Sequence, residues 1–136
     1  MAELLIHNSN PAGLYTADCV YRALSAFLGV SWREALNGLI SWSADRGVVK
    51  FTYITTLKAY MESLGYKEVK IREKGITVNN FCERYAQKNK IYVLNCPKPS
   101  RHWTVVKWAS WSDSAYVIDS FDSRHFIVDR YWERII

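Results

Sequence analysis

The spacing of apolar residues changes period once along this chain. From residue 19 to 64 they recur every three or four positions, and after residue 90 they fall in short runs bounded by Pro, Ser and Asp. The first pattern is helical and the second is strand-like. Val20, Ala23, Leu24, Phe27 and Leu28 share one face of a helix predicted over 19–28, with Gly29 as its terminator. Ser31-Trp32-Arg33-Glu34 reads as a capping box, opening a second helix that buries Trp32, Ala35, Leu36, Leu39 and Ile40. Thr52 is placed to cap a third helix, whose Tyr53, Leu57, Tyr60, Met61 and Leu64 repeat at helical spacing until Gly65. Residues 66–72 alternate weakly, as a half-buried strand does, and 78–88 form a shorter helix with Phe81, Cys82 and Tyr85 inward.

Four strands are predicted next, at Ile91–Leu94, Trp103–Trp108, Ala115–Ile118 and Phe126–Tyr131. Helices first and an antiparallel sheet second make an α+β domain. At 136 residues, with no linker or repeat, residues 1–136 read as one domain. Asn8, Ser9, Asn10, Pro11 and Gly13 mark a loop before the first helix.

Composition narrows the class. No apolar run approaches the roughly 18–20 residues of a membrane span, and the start lacks the pattern of a secretory signal, so no membrane association is expected. Cys19, Cys82 and Cys96 are odd in number and lack CxxC spacing, which fits free thiols in a reducing, cytoplasmic setting. The net charge is +5, spread over Lys67, Lys70, Arg72, Lys74, Arg84, Lys88, Lys90, Lys98 and Arg101. It reads either as a solvated surface or as attraction to an acidic macromolecule. No zinc-finger, RNP or glycine-rich phosphate motif selects nucleic acid. Aromatics make up 15% of the chain, and Trp108, Trp111 and Trp132 form either a binding patch or part of the core.

The chemistry of interest lies in Cys19, His102 and Asp119. A cysteine at a helix N-terminus feels the positive end of the macrodipole, which favours the thiolate. Arg22 one turn later adds to this, and Asp18 opposes it. If 102–109 and 114–119 form a hairpin centred between Ser110 and Trp111, His102 lies directly opposite Asp119, with Thr104 opposite Val117. A thiol, a base and a group that orients the base are the parts of a thiol hydrolase. The plain alternative is a buried core cysteine, a satisfied histidine and a turn-forming aspartate. Cys82 and Cys96 are assigned to packing, with Cys96 in a loop near His102. A metal site from His102, Asp119, Asp122 and His125 has no supporting spacing, and no cofactor motif is present.

Asp18-Cys19-Val20-Tyr21-Arg22-Ala23-Leu24, with His102-Trp103-Thr104-Val105-Val106 and Val117-Ile118-Asp119, resembles the papain-like cysteine peptidase superfamily. Within it the chain looks most like small phage-encoded members and the leader peptidases of bacteriocin exporters. The first-helix run also resembles ovarian-tumour-type deubiquitinases. The resemblance implies a papain-like fold, with N-terminal helices packed on a C-terminal antiparallel sheet. It also implies cleavage of a peptide, isopeptide or related acyl bond in a protein or peptide substrate, without a cofactor. Cys19 is then nucleophile, His102 base and Asp119 orienter. Such enzymes place an oxyanion-hole glutamine shortly before the cysteine, and Gly13-Leu14-Tyr15-Thr16-Ala17 contains none. Asn10 or Asn8 is the candidate substitute, or the Cys19 backbone N–H acts with little help. Without one, the same scaffold reads as a weak or inactive enzyme that binds a host protein or nucleic-acid complex.

Overall fold

A computed structural model describes residues 1–136. Four helices and six strands follow in the order β1 (Glu3–Ile6), α1 (Cys19–Leu28), α2 (Trp32–Asp45), α3 (Ile54–Ser63), β2 (Val69–Lys70), α4 (Val78–Arg84), β3 (Lys90–Cys96), β4 (His102–Trp108), β5 (Tyr116–Asp119) and β6 (Arg130–Ile135). The strands form one sheet in the order β1-β5-β4-β3-β6-β2. The domain is α+β, as the change of period predicts.

Strict alternation along β3 and β4 divides the core in two. Ile91, Val93, Trp103 and Val105 point to one face and join Trp132 under α1, α2 and α3. Tyr92, Leu94, Cys96 and Val106 point to the other, packing against Ile76, Val78, Phe81, Phe126 and Val128. α4 therefore covers the opposite face from the first three helices. The cap of α1 is as predicted: Gly29 takes a left-handed φ of 70° and returns its N–H to the Ser25 carbonyl. The Ser31/Glu34 capping box is also present.

Several expectations are corrected. The sheet is mixed, because β1 runs parallel to β5 with Glu3 beside Tyr116 and Ile6 beside Asp119. Leu4-Leu5-Ile6 is too short a run to announce a strand by itself. The cap of α3 is Tyr53, with no side-chain bond, rather than Thr52. α4 ends at Arg84, and only Val69–Lys70 of 66–72 pair with the sheet. The last strand lies at Arg130–Ile135, four residues later than its predicted start. Residues 126–128 turn inward instead, bridging at Ile127 to Thr77 and Lys98. Nor do the tryptophans form a patch. Trp132 is wholly buried, Trp108 packs on the other face and donates to the Ser112 carbonyl, and Trp111 is 78% exposed on the hairpin turn. No helix is long and apolar enough to cross a membrane.

These environments separate two substitutions. Leu24→Ala, at a fully buried position under α1, is expected to cost about 2–5 kcal/mol. Trp111→Ala is expected to stay within about 0.5 kcal/mol. Urea unfolding midpoints measure both, and equal losses would contradict this division of the core.

Candidate functional site

Two elements build the site. Cys19 is the first residue of α1, which lies across β3 and β4. His102 is the first residue of β4. The helix N-terminus and the strand start meet at one rim of the sheet, 83 positions apart in sequence, and both side chains line the same cavity.

The hairpin that brings Asp119 to His102 is not centred where the sequence suggests. Val105 pairs with Ile118, Val106 with Val117 and Lys107 with Tyr116, so the centre falls between Trp111 and Ser112. The slide is two residues. His102 is thus diagonal to Asp119 rather than directly across from it. An even slide keeps every side chain on its face, whereas a slip of one would have separated the pair. Diagonal neighbours are still within reach of a long side chain, and His102 Nε2 lies 2.6 Å from Asp119 Oδ2. With Nε2–H donated to the carboxylate, Nδ1 is the nitrogen left for the thiol.

Asp119 is buried and well supplied with donors. The Ser123 hydroxyl donates to Oδ2 at 2.6 Å, and the Ser120 backbone N–H donates to Oδ1 at 2.7 Å. Thr104 stands 3.3 Å from the Ser123 hydroxyl. Burial pushes the carboxyl pKa up, but the hydrogen bond and charge of His102, with Ser123 and Thr104, bring it below its ordinary value. For His102, burial favours the neutral ring. The bonds and charges of Asp119 and Cys19 override this and raise its pKa to about 9. Phe121 and Phe126 pack on the ring, with centroids 4.8 and 5.3 Å away.

The three cysteines now differ sharply. Cys19 is partly exposed, while Cys82 and Cys96 are buried. Burial pushes Cys19 upward, but hydrogen bonding from His102 and the Trp103 backbone, with the charges of His102 and Arg22, draws its pKa below the ordinary thiol value. Burial pushes Cys82 up to about 12. Cys96 is also pushed up by burial, and then by the negative charges of Asp119 and Asp129. It is not in a loop: it ends β3, directly paired with His102.

Asp18 does not spoil the thiolate's surroundings. Its Oδ1 pairs with Arg22, and its Oδ2 accepts from Trp32 Nε1 at 2.8 Å and from Asn10 Nδ2 at 3.1 Å. This buried carboxylate ties the 8–14 loop, α1 and α2 together. The same bonds remove Asn10 from the oxyanion role predicted for it. Its Oδ1 accepts the N–H groups of Ala12 and Leu14, and it does not line the Cys19 cavity. Asn8 is likewise held, donating to the Leu14 carbonyl and accepting from the Asn10 N–H. The Cys19 N–H makes no bond within the protein and is the donor left at the site.

The cavity beside Cys19 has a volume of about 240 Å³. Val20, Ile54, Leu57 and Trp103 form its apolar wall, with Thr52, Tyr53 and Arg101 at the rim. Sequence reasoning missed Ser123, Thr104 and the two phenylalanines, since a serine four residues past Asp119 has no periodic signature. Asp122 and His125 do not join the site. Asp122 pairs with Arg124, His125 packs on Phe126, and no three His, Cys, Asp or Glu side chains are grouped to hold a metal ion.

Asp18→Ala is expected to destabilise the fold by about 3–5 kcal/mol, because it strands the half-buried Arg22 and removes the acceptor for Trp32. Asp18→Asn should lose less, since it keeps an acceptor for Trp32. Denaturant titration checks the order, and a loss under about 1 kcal/mol for the alanine variant would contradict the role given to this carboxylate.

Comparison of the chain with protein-family models, with curated proteins and with solved structures finds no match to any of them.

Proposed function

We propose that this protein is a papain-like cysteine hydrolase that cleaves a peptide, isopeptide or related acyl bond through a thioester. The observation that carries the reading is geometric: Cys19 and His102 line one cavity, with His102 Nε2 held 2.6 Å from Asp119 Oδ2. The Cys19 thiol is drawn down while His102, anchored on Asp119, is raised to about 9. Both shifts favour a thiolate–imidazolium pair at neutral pH. The order helix-borne Cys, strand-borne His and Asp on the next strand supports the papain-like assignment.

The chemistry follows from that pair. Cys19 Sγ attacks the acyl carbon, and a C–S bond forms as the carbonyl electrons move to oxygen. The Cys19 N–H faces the resulting oxyanion. The oxygen electrons return, the bond to the leaving amine breaks, and the His102 proton passes to that amine. Neutral His102 then takes a proton from water as the water oxygen attacks the thioester. The acid leaves and the thiolate is restored. Asp119 keeps Nε2–H engaged, so that Nδ1 faces the thiol throughout, and Ser123 holds Asp119 in place.

The single oxyanion donor favours a second reading, a papain-like scaffold that binds an acidic macromolecule with little turnover. Loss of one such donor costs about 10²–10³ in rate. Turnover of an acyl substrate that Cys19→Ala abolishes supports the hydrolase. Salt-sensitive binding that Cys19→Ala leaves intact, with no turnover, supports the scaffold.

Two outcomes test the hydrolase. At pH 6, iodoacetamide should alkylate Cys19 at least about tenfold faster than free glutathione, because an ordinary thiol of pKa about 8.5 is almost wholly protonated there. His102→Ala should remove that advantage, and a Cys19 no faster than glutathione would sink the assignment. The two reactions should also part company at high pH. Hydrolysis needs both thiolate and imidazolium, so it should rise as Cys19 loses its proton and fall as His102 loses its own near pH 9. Alkylation needs only the thiolate and should not fall there. A pH–rate profile for each reaction separates them.

A further inference from the structure

The cavity beside Cys19 has an apolar floor and a cationic rim. Val20, Leu57 and Trp103 are buried along the floor, and Tyr53 is exposed at the rim. Two cations approach the Tyr53 ring: Arg101, which lines the cavity, and Lys50, which stands outside its lining. Lys50 Nζ lies 4.7 Å from its centroid and Arg101 Cζ 5.8 Å. Neither is paired with a carboxylate, and no Asp or Glu lines the cavity. Some basic side chains are matched within the fold, as Arg84 is with Glu73, Lys90 with Glu133 and Arg130 with Glu68; what sets Lys50 and Arg101 apart is the ring they share beside this cavity.

Two like charges gathered over one ring repel each other, and cation–π attraction offsets this only in part at an exposed site. An anion bound beside Tyr53 would relieve that repulsion. The start of α3 adds to the same field, with no acidic residue in its first turn. Arg101 immediately precedes His102, so the anion would lie within a residue or two of the scissile bond. The apolar floor calls for a neighbouring hydrophobic group on the same ligand.

We infer that the substrate of the Cys19 site is an acidic peptide segment. An apolar side chain fills the cavity, and an adjacent Asp or Glu carboxylate is held by Lys50 and Arg101. The inference rests on the cysteine-hydrolase reading and gives that reading a substrate class. A nucleic-acid strand would satisfy the cations but leave the apolar floor empty.

Peptidyl vinyl sulfones test it, since they react with an activated thiol whatever bond the enzyme naturally cleaves. In these probes Sγ adds to the vinyl carbon farther from the sulfone, the one bonded to the peptide's α-carbon, and the carbon next to the sulfone takes up a proton. Three probes of equal length carry leucine followed by Glu, Gln or Lys. Addition to Cys19 is followed by intact mass, and each rate is divided by the same variant's iodoacetamide rate, so that changes in folding or thiol reactivity cancel. The Glu probe should react on the order of tenfold faster than the Lys probe, the scale of one charge-assisted contact. The preference should shrink in about 0.5 M salt. It should weaken in Arg101→Gln and reverse in the Lys50→Glu, Arg101→Glu double variant.

Equal rates for the three probes, or an unchanged Glu preference in the double variant, overturn the inference. So does protection of Cys19 by a single-stranded oligonucleotide where a free Leu-Glu peptide gives none. If iodoacetamide itself finds no activated Cys19, the hydrolase reading fails and takes this one with it. Fast iodoacetamide labelling with no probe preference removes the substrate class alone.

Discussion

A buried carboxylate is the constraint on which the rim of this sheet is organised. Asp119 sits at the end of β5, out of water. An ionised carboxyl there is tolerable only if its oxygens find donors and its charge finds an opposite. His102, Ser123 and the Ser120 N–H meet the first need, and protonated His102 meets the second. This arrangement has structural consequences. The chain must bend back after β5 so that Ser123 reaches Oδ2, which lays Phe121 and Phe126 against the imidazole. The ring is thereby fixed in orientation, and its remaining nitrogen is presented at the N-terminus of α1. That presentation matters to Cys19, since His102 is the largest influence opposing the effect of its burial.

Asp18 poses the same physical problem and solves it differently. It is as buried as Asp119, yet its partners are Arg22, Trp32 and Asn10. None of these lines the Cys19 cavity. It is a structural staple, and the Asp-Cys pair that marks the helix start divides its labour accordingly. Asp18 pins α1 to α2 and to the preceding loop, and its neighbour faces the cavity. The cost to the site is Asn10, whose amide is spent on the staple and on its own turn.

The legibility of the chain follows the range of the interactions. α1 is readable to the residue because its signals are local: an apolar stripe, a helix start and a glycine able to take positive φ. The capping box of α2 is local too. Register is not local. A pattern of period two fixes which face a strand residue uses but leaves even slides undetermined, and the β4–β5 hairpin slides by two. For the same reason the juxtaposition of His102 with Asp119 is legible while its diagonal geometry is not. β1 is hidden because a parallel edge partner is chosen by the strand it meets, Tyr116–Asp119, 113 positions away. Residues 126–128 look like a strand because they are apolar, and they are apolar because they roof the second face of the core.

The distribution of charge completes the picture. A net charge of +5 says nothing by itself about where a ligand sits. Several of the basic residues are consumed by ion pairs, as Arg84 is by Glu73 on the outer surface. Exposed pairs of this kind add little stability, but they remove those residues from any account of binding. Lys50 and Arg101 are different because they share the Tyr53 ring beside the Cys19 cavity and neither pairs with a carboxylate. A positive rim and a protonated His102 are like charges facing one cavity, and like charges repel. Because Asp119 is held against His102 by its own donors, the imidazolium keeps a partner that the rim cannot displace. The buried pair thus lets one cavity combine a cationic entrance with a protonated histidine, two features that would otherwise oppose each other.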